Sequence, residues 1–182
     1  AALPGNAYFS VNLPVKYESE PGVKFEWTVK TGADVISVDG DKAVIKEPTA
    51  DTAVTLTLKI SNGTAEATRD YNITVKAADT VSIEDLPSVS FGVVVKTQGK
   101  VVAKGMSQVM DRISVLIEDE SGNLVAVDTT RKDIDGYKLG DTVKAAGLYS
   151  APVAATNDTF AVAAHLSAME TVLVSDGADY NP

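Results

Sequence analysis

Few side chains in this chain have the chemistry of a catalytic group. The 182 residues include no cysteine and a single histidine, His165, which lies in the apolar run FAVAAHLSAM. Without cysteine, disulfides and thiolate metal sites are excluded, and a lone histidine in an apolar run is more typical of a packed or solvated side chain than of a catalyst. Neither a Gly-x-Ser-x-Gly sequence nor a phosphate-binding Gly-x-x-x-x-Gly-Lys-[Ser/Thr] loop is present. The sequence therefore predicts no catalytic residue, no cofactor and no enzymatic activity.

Carboxylates are plentiful, and three of them are consecutive. Glu118, Asp119 and Glu120 precede the turn sequence Ser-Gly-Asn. Such a cluster could hold calcium, a hard ion that takes oxygen ligands, or it could be a solvated turn whose charges discourage strand pairing. Two similar acidic stretches, residues 39–41 (Asp-Gly-Asp) and 133–136 (Asp-Ile-Asp-Gly), do not have the spacing of a twelve-residue calcium loop. We therefore favour the solvated turn and predict no metal ligand.

Ligand binding without catalysis depends on exposed aromatic rings and, for nucleic acids, on a basic groove. Tyr137 and Tyr149 bracket the segment YKLGDTVKAAGLY and are candidate platforms. Lys96, Lys100 and Lys104 recur every four residues and could line one face of a strand. The candidate ligand contacts are therefore Tyr137, Tyr149 and Lys100.

The charge and hydropathy of the chain limit its partners. Its formal net charge is −9, which disfavours binding to phosphate backbones, so nucleic acid is an improbable partner. No apolar run approaches the roughly 18 residues of a membrane span, so we predict that this segment does not insert into a membrane. The first residues, AALPGNAYF, lack the pattern of a signal peptide, and a mature or trimmed chain would look the same.

The elements that must position these residues have the periodicity of β-strands. In residues 25–29, 54–60 and 71–75, apolar side chains alternate with polar ones, which places one set on a buried face. The Asn-Gly pair at 62–63 lies between two such runs and predicts a hairpin. Short strands separated by turn residues are typical of a sandwich or barrel.

The second half also has the pattern of β-strands, but the turn sequences between them differ from those of the first half. We predict a long strand over residues 89–104, interrupted at Gln98-Gly99, and a strand-turn-strand unit over 113–127. Two more strand regions follow, at 143–149 and 160–174. Within the latter, residues 165–174 could be read as helical, but their β-branched end favours a strand. A small-residue stretch at 76–80 predicts a linker, with the boundary near Ala78.

The order of motifs in the first half resembles the bacterial immunoglobulin-like domains of secreted and surface proteins. The carrying sequences are FEWTV at 25–29, VISVDG at 35–40, the strand at 54–60 and YNITV at 71–75. This resemblance covers about residues 5–77. It implies that Trp27 packs in the core of a sandwich that has no disulfide.

The second half resembles an OB-fold barrel of the type found in secreted bacterial proteins. The resemblance rests on IEDESGNL at 117–124 and GDTVKAAG at 140–147. In such barrels the second motif marks entry into the fourth strand. We expect Gly140 to permit a bend, Asp141 to satisfy backbone donors, Val143 to point inward and Gly147 to let the strand curl.

Together, these resemblances imply an all-β chain: an immunoglobulin-like β-sandwich at 1–78, then an OB-like β-barrel at 79–182 with a short C-terminal tail. They imply a non-catalytic spacer, adhesive or other accessory module of a larger bacterial protein. That protein would be secreted or at the cell surface, periplasmic or outer-membrane-anchored in a Gram-negative organism. The alternative function is binding of a saccharide or nucleic acid on the OB-like face. The partner is unknown from sequence, with a saccharide or another surface protein as candidates.

Overall fold

The computed structural model describes residues 3–16, 20, 22–90, 92–107, 112–129, 135–152 and 164–177. Within these residues, β-strands are the dominant element, and the longest helical segment is a 3-10 helix at Leu86–Ser88. The prediction of an all-β chain is therefore confirmed. The chain forms two compact units, Ala1–Ala78 (unit 1) and Asp79–Pro182 (unit 2). The described part of the chain has no helix with the length and apolar character needed to span a membrane.

Unit 1 contains two sheets. The strands are β1 (Asn6–Ala7), β2 (Val11–Asn12), β3 (Lys24–Thr31), β4 (Ile36–Asp39), β5 (Lys42–Ile45), β6 (Thr52–Ser61) and β7 (Glu66–Val75). One sheet has the order β1-β7-β6-β3 and the other has the order β2-β5-β4. All neighbours are antiparallel except β1 and β7, which run in the same direction.

The hairpin between β6 and β7 forms at the predicted Asn-Gly pair. Gly63 has a φ of 90°, a conformation that L side chains rarely adopt. The side chain of Asn62 accepts hydrogen bonds from the backbone N–H groups of Thr64 and Ala65, at 3.2 and 2.9 Å. The turn therefore fixes the register of the two longest strands of unit 1.

The core of unit 1 follows from strand alternation. Val54, Leu56 and Ile73 are buried on the inner face of the larger sheet, while Ile36 and Ala43 are buried on the smaller sheet. All five belong to one hydrophobic cluster, so the two sheets pack against a shared core.

Trp27 is the largest side chain of this core. It is 7% exposed, and its indole N–H donates to the carbonyl oxygen of Pro14 at 2.8 Å. Its ring lies 5.2 Å, centroid to centroid, from the ring of Tyr71. The prediction that Trp27 is buried in phase with Phe25 and Val29 is confirmed, since both neighbours pack against the same cluster.

The described residues of unit 2 form one sheet of six strands. They are β8 (Asp79–Thr80), β9 (Val94–Ser107), β10 (Arg112–Glu118), β11 (Leu124–Asp128), β12 (Thr142–Ser150) and β13 (His165–Ser175). Their order is β10-β11-β13-β12-β9-β8, and β10 also pairs with β9. The long strands β9 to β13 therefore pair in a cycle. Within the cycle, β11 and β13 are parallel and the other pairs are antiparallel.

Strand β9 makes this cycle possible because it pairs with different partners along its length. Residues 94–100 pair with β12, and residues 100–107 pair with β10. Register shifts occur between Leu116 and Ile117 of β10 and between Ala146 and Gly147 of β12. Such irregularities bend strands.

The predicted interruption of β9 at Gln98-Gly99 is wrong, because the strand runs through both residues. A side chain at Gly99 would place its Cβ 3.0 Å from Ile117 Cβ and 3.0 Å from Ile83 Cδ1. This glycine therefore allows close packing within a strand and does not end it. The strand also starts later than predicted, at Val94. The preference for a strand over a helix at 165–174 is confirmed by β13.

The junction between the units is hydrogen-bonded on both sides. The side chain of Asp51 forms an ion pair with Lys76 and accepts the backbone N–H of Ala77 at 2.9 Å. Two residues later, Asp79 begins β8, which pairs in parallel with β9. Of the linker predicted at residues 76–80, only Ala78 lies outside these contacts: Lys76 and Ala77 contact Asp51, and Asp79 and Thr80 pair with β9.

Candidate functional site

Unit 2 has a depression of about 370 Å³. It is lined by residues from three strands and one turn: Gln98, Gly99, Lys100, Glu118, Asp119, Glu120 and Thr142. Strand register brings them together, because Lys100 of β9 lies opposite Glu118 of β10 on one side and Thr142 of β12 on the other. Lys100 and the acidic turn were predicted as separate features, and the structure places them at one site.

Asp119 holds the turn that forms one wall of the depression. Its Oδ1 accepts the backbone N–H groups of Ser121 and Asn123, both at 2.9 Å. Its Oδ2 accepts the side-chain amide of Asn123 at 3.0 Å. The hydrogen bond from the Asn123 side chain is the main cause that holds the pKa of Asp119 below its ordinary value. This carboxylate therefore has a structural role, whereas those of Glu118 and Glu120 face the depression without such a role.

The calcium interpretation of this turn gains no support from the geometry. Within the described residues, no group of three or more His, Asp or Glu side chains is arranged to hold a metal ion. The other acidic loop of the sequence, at 133–136, lies partly outside the described residues.

The two candidate tyrosines lie elsewhere, inside the core. Tyr137 is 6% exposed and Tyr149 is 4% exposed, and both belong to the hydrophobic cluster of unit 2. The hydroxyl of Tyr137 donates to Thr171 Oγ1 at 2.8 Å. Among the described residues, the buried hydroxyl of Tyr149 has no hydrogen-bond partner. Because both rings are buried in this cluster, neither presents a face on which a ligand could stack.

The three regularly spaced lysines do not form a groove. Lys100 is exposed, but Lys96 is only 3% exposed. The ammonium of Lys104 donates to the carbonyl oxygen of Tyr137 at 2.5 Å. Of the three, only Lys100 lies at the depression.

The Gly140-Asp141 pair directly precedes β12 and has the scaffold role expected from the sequence. Gly140 has a φ of 90°, and Val143 is buried. Asp141 is 1% exposed, and its carboxylate accepts the backbone N–H groups of Lys138 at 2.7 Å and Gly177 at 2.8 Å. Burial acts to raise the pKa of Asp141. The hydrogen bonds from Gly177 and Lys138, with the nearby lysine charges, outweigh burial and lower the pKa.

Two glycines complete this scaffold. A Cβ at Gly147 would lie 2.3 Å from the carbonyl oxygen of Ser167, so the strand could not approach β13 with any larger residue. A Cβ at Gly177 would lie 2.2 Å from the carbonyl carbon of Gly140. The role of Gly147 was predicted, whereas Gly177 was missed because its partner lies 36 residues away in sequence.

His165, the only histidine, is buried at the first position of β13. It pairs by register with Ala126 of β11 and Ser150 of β12. This position within the sheet agrees with the packed side chain expected from the sequence.

No family model matches the chain, and no curated protein matches it in sequence.

Proposed function

We propose that this chain is a non-catalytic spacer or adhesive module of a larger bacterial protein that is secreted or displayed at the cell surface. The observation that carries this proposal is the junction, where two compact units follow each other with only Ala78 between hydrogen-bonded segments. Modules joined by so short a segment suit a role in which the chain separates or presents other parts of a protein.

We also propose the finer fold of each unit. An immunoglobulin-like sandwich in unit 1 is supported by two sheets that share a core with Trp27. An OB-like barrel in unit 2 is supported by the cyclic pairing of β9 to β13, since the OB-fold is a five-stranded Greek-key barrel. The single parallel pair in the cycle, β11 with β13, is consistent with that topology.

The proposal that the chain is not an enzyme rests on what its polar groups do. Asp141 and Asp119 hold backbone segments in place, and His165 is buried within the sheet. A general acid or base needs access to the substrate proton that it transfers, and these three groups have structural surroundings instead.

The test is replacement of residues 1–182 in the full-length protein by an unrelated two-domain segment of similar length. A spacer predicts that attachment of cells to their target is retained after replacement and reduced after simple deletion. Loss of attachment in both variants would show that this chain itself makes the adhesive contact. Antibody labelling of intact cells tests the surface location and controls for export.

The alternative is a module that binds a saccharide or nucleic acid on the OB-like face, and exposed Lys100 is the residue that favours it. Nucleic acid is the weaker candidate, because Glu118 and Glu120 lie beside Lys100 and repel phosphate. Anisotropy titration of a labelled oligonucleotide at about 0.15 M salt tests it, with Lys100→Glu as the variant. Saturable binding in the micromolar range that this variant abolishes would favour the alternative over the spacer.

A further inference from the structure

The depression around Lys100 brings together opposite charges that are not paired with each other. Lys100 and Glu118 are direct cross-strand partners. In the described part of the chain, the side chains of Lys100, Glu118 and Glu120 form no ion pair or hydrogen bond. Elsewhere opposite charges within one sheet do meet. Lys59 and Glu66 pair at 2.9 Å on the neighbouring strands β6 and β7, and Lys30 and Asp70 pair at 2.6 Å across the intervening strand β6. The charges at the depression therefore remain available to a ligand.

The size and charge of the depression restrict that ligand. A volume of about 370 Å³ lies at the small end of the range for ligand sites. The lining residues carry three carboxylates and one ammonium, so a purely anionic ligand would be repelled. No aromatic ring is among them, and a neutral sugar would find no stacking face. A small ligand with an ammonium and a carboxylate matches both signs of charge.

Backbone groups of β9 add a hydrogen-bonding edge. The N–H and C=O of Val101 bond to the β12 side, through Asp141 and Gly140. The C=O of Lys96 accepts the N–H of Val81 on the opposite side. Along a strand, the backbone N–H and C=O groups of successive residues point to alternate sides. Gln98 lies two residues after Lys96, so its N–H and C=O point to the same side as those of Lys96. That side is where β9 passes from its pairing with β8 to its pairing with β10, and it offers a donor and an acceptor to a peptide amide.

We infer that this depression binds short peptides with free termini. The ligand carboxylate pairs with the ammonium of Lys100, and the ligand ammonium pairs with the carboxylates of Glu118 and Glu120. Gln98 and Thr142 supply hydrogen bonds to the part of the ligand between these charges. This site does not depend on the spacer role, since a spacer can carry it or lack it.

The experiment is an NMR titration of the full chain with the dipeptide alanyl-alanine. The probes for comparison are its N-acetylated form, its C-terminal amide and the neutral disaccharide maltose. We expect saturable shifts of the backbone signals of Gln98, Lys100, Glu118 and Glu120 with millimolar affinity. Each capped dipeptide should bind about fivefold more weakly, the loss expected for one exposed ion pair.

Two variants and one control locate the contacts. Lys100→Gln should weaken the free dipeptide about fivefold and leave the C-terminal amide unaffected, because that probe has no carboxylate to lose. Glu118→Gln should weaken the free dipeptide about fivefold and leave the N-acetylated probe unaffected, because that probe has no ammonium to lose. Lys144→Gln changes an exposed lysine of β12 outside the depression and should have no effect.

Three results would overturn the inference. They are the absence of saturable shifts at the depression up to about 50 mM dipeptide, equal affinity for free and capped dipeptides, and tighter binding of maltose at the same residues. The capped probes on the unmodified chain keep the test valid even if a variant fails to fold.

Discussion

The two units differ in what they bury. Among the described residues, the buried side chains of unit 1 are all apolar or aromatic, whereas unit 2 buries Lys96, Thr97, Asp141 and His165. Two open sheets that share a core need only alternation of apolar and polar residues. A cycle of strands also needs bends, and each bend leaves backbone groups that require partners. Unit 2 therefore depends on buried polar contacts that unit 1 does not need.

Two Gly-Asp pairs show the difference at the level of single residues. Gly40 and Gly140 both have positive φ angles, of 57° and 90°. Asp41, after the first, is exposed in the turn between β4 and β5, whereas Asp141, after the second, is buried and accepts two backbone N–H groups. The same dipeptide is a surface turn in one unit and an internal anchor in the other.

The largest expected effect is on unit 1. Trp27→Ala should destabilise it by about 3–5 kcal/mol, because the substitution leaves a large cavity between the sheets. Calorimetry or circular dichroism should show one transition shifted and the transition of unit 2 unchanged. A solvent-like fluorescence maximum of Trp27 in the native protein would contradict its burial.

Asp141→Ala should have the next largest effect, on unit 2. Its loss leaves the N–H groups of Lys138 and Gly177 without an acceptor, at a cost of about 2–4 kcal/mol. The chain has one tryptophan, so fluorescence reports unit 1 alone, while circular dichroism reports both units. We expect the unit 2 transition to shift and the fluorescence transition to stay in place.

Asp41→Ala is the matched control for Asp141→Ala and should change stability by less than about 0.5 kcal/mol, as for an ordinary surface substitution. Equal effects of the two substitutions would mean that burial of Asp141 does not distinguish the units.

The stability of the two units should respond differently to acid. The pKa of Asp141 in the folded chain is below its unfolded value of about 3.9. Its stabilisation is therefore full above that unfolded value and is lost as the pH falls through the folded pKa, below about pH 4. The pKa values of Asp51 and Asp70 in unit 1 are also lowered, chiefly by hydrogen bonds from Lys76 and Lys30, but these pairs are solvent-exposed.

Salt distinguishes the two acid responses, because it screens exposed pairs more than buried groups. Denaturation between pH 6 and 2.5, with and without about 0.5 M sodium chloride, should show that salt reduces the acid sensitivity of unit 1 more than that of unit 2. Asp141→Ala should reduce the acid sensitivity of unit 2, leaving the part that Asp119 contributes, and should not change that of unit 1. A salt effect of the same size in both units would contradict the buried anchor.

Smaller effects than that of Asp141→Ala are expected from two tyrosines of unit 2. Tyr137→Phe removes the hydrogen bond to Thr171 and should cost about 1 kcal/mol. Tyr149→Phe removes a hydroxyl that has no partner and should be neutral or stabilising. Chemical denaturation followed by circular dichroism measures both. If Tyr149→Phe costs as much as Tyr137→Phe, an unseen partner such as a buried water satisfies the Tyr149 hydroxyl.

Strands and local turns could be predicted from the sequence because their signals are short-range. The alternation in β6 and β7, the Asn-Gly hairpin, the bend at Gly140 and the hydrogen bond from Lys138 to Asp141 each depend on a few neighbouring residues. The hydrogen bond from Gly177 to Asp141 is long-range and could not be predicted in this way. The error at Gly99 has a physical reason: a glycine that ends a strand and one that relieves crowding within a strand have the same sequence signal. Only the packing against Ile83 and Ile117 distinguishes them.

The depression was less predictable, because its members come from distant parts of the chain. Lys100 and the acidic turn were noticed separately, but their proximity depends on the register of β9 with β10 and β12. Tyr137 and Tyr149 were predicted as platforms because the phenylalanines lie in apolar runs and were assigned to the core. Burial of the two tyrosine rings depends on long-range packing that the sequence does not show. Lys96 was predicted to lie on an exposed strand face with Lys100 and Lys104, and its burial likewise depends on long-range packing.

The parallel pairing of β1 with β7 has a consequence for a chain held under tension. When the two ends of unit 1 are pulled apart, β1 must slide along β7, which loads their hydrogen bonds in shear. The bonds from Thr74 N–H to the Gly5 carbonyl and from Lys76 N–H to the Ala7 carbonyl, both 2.9 Å, then bear the force together. An antiparallel arrangement would let them unzip one at a time. Resistance to pulling is governed by the unfolding rate, so unit 1 should withstand stretching longer than its thermal stability alone would indicate.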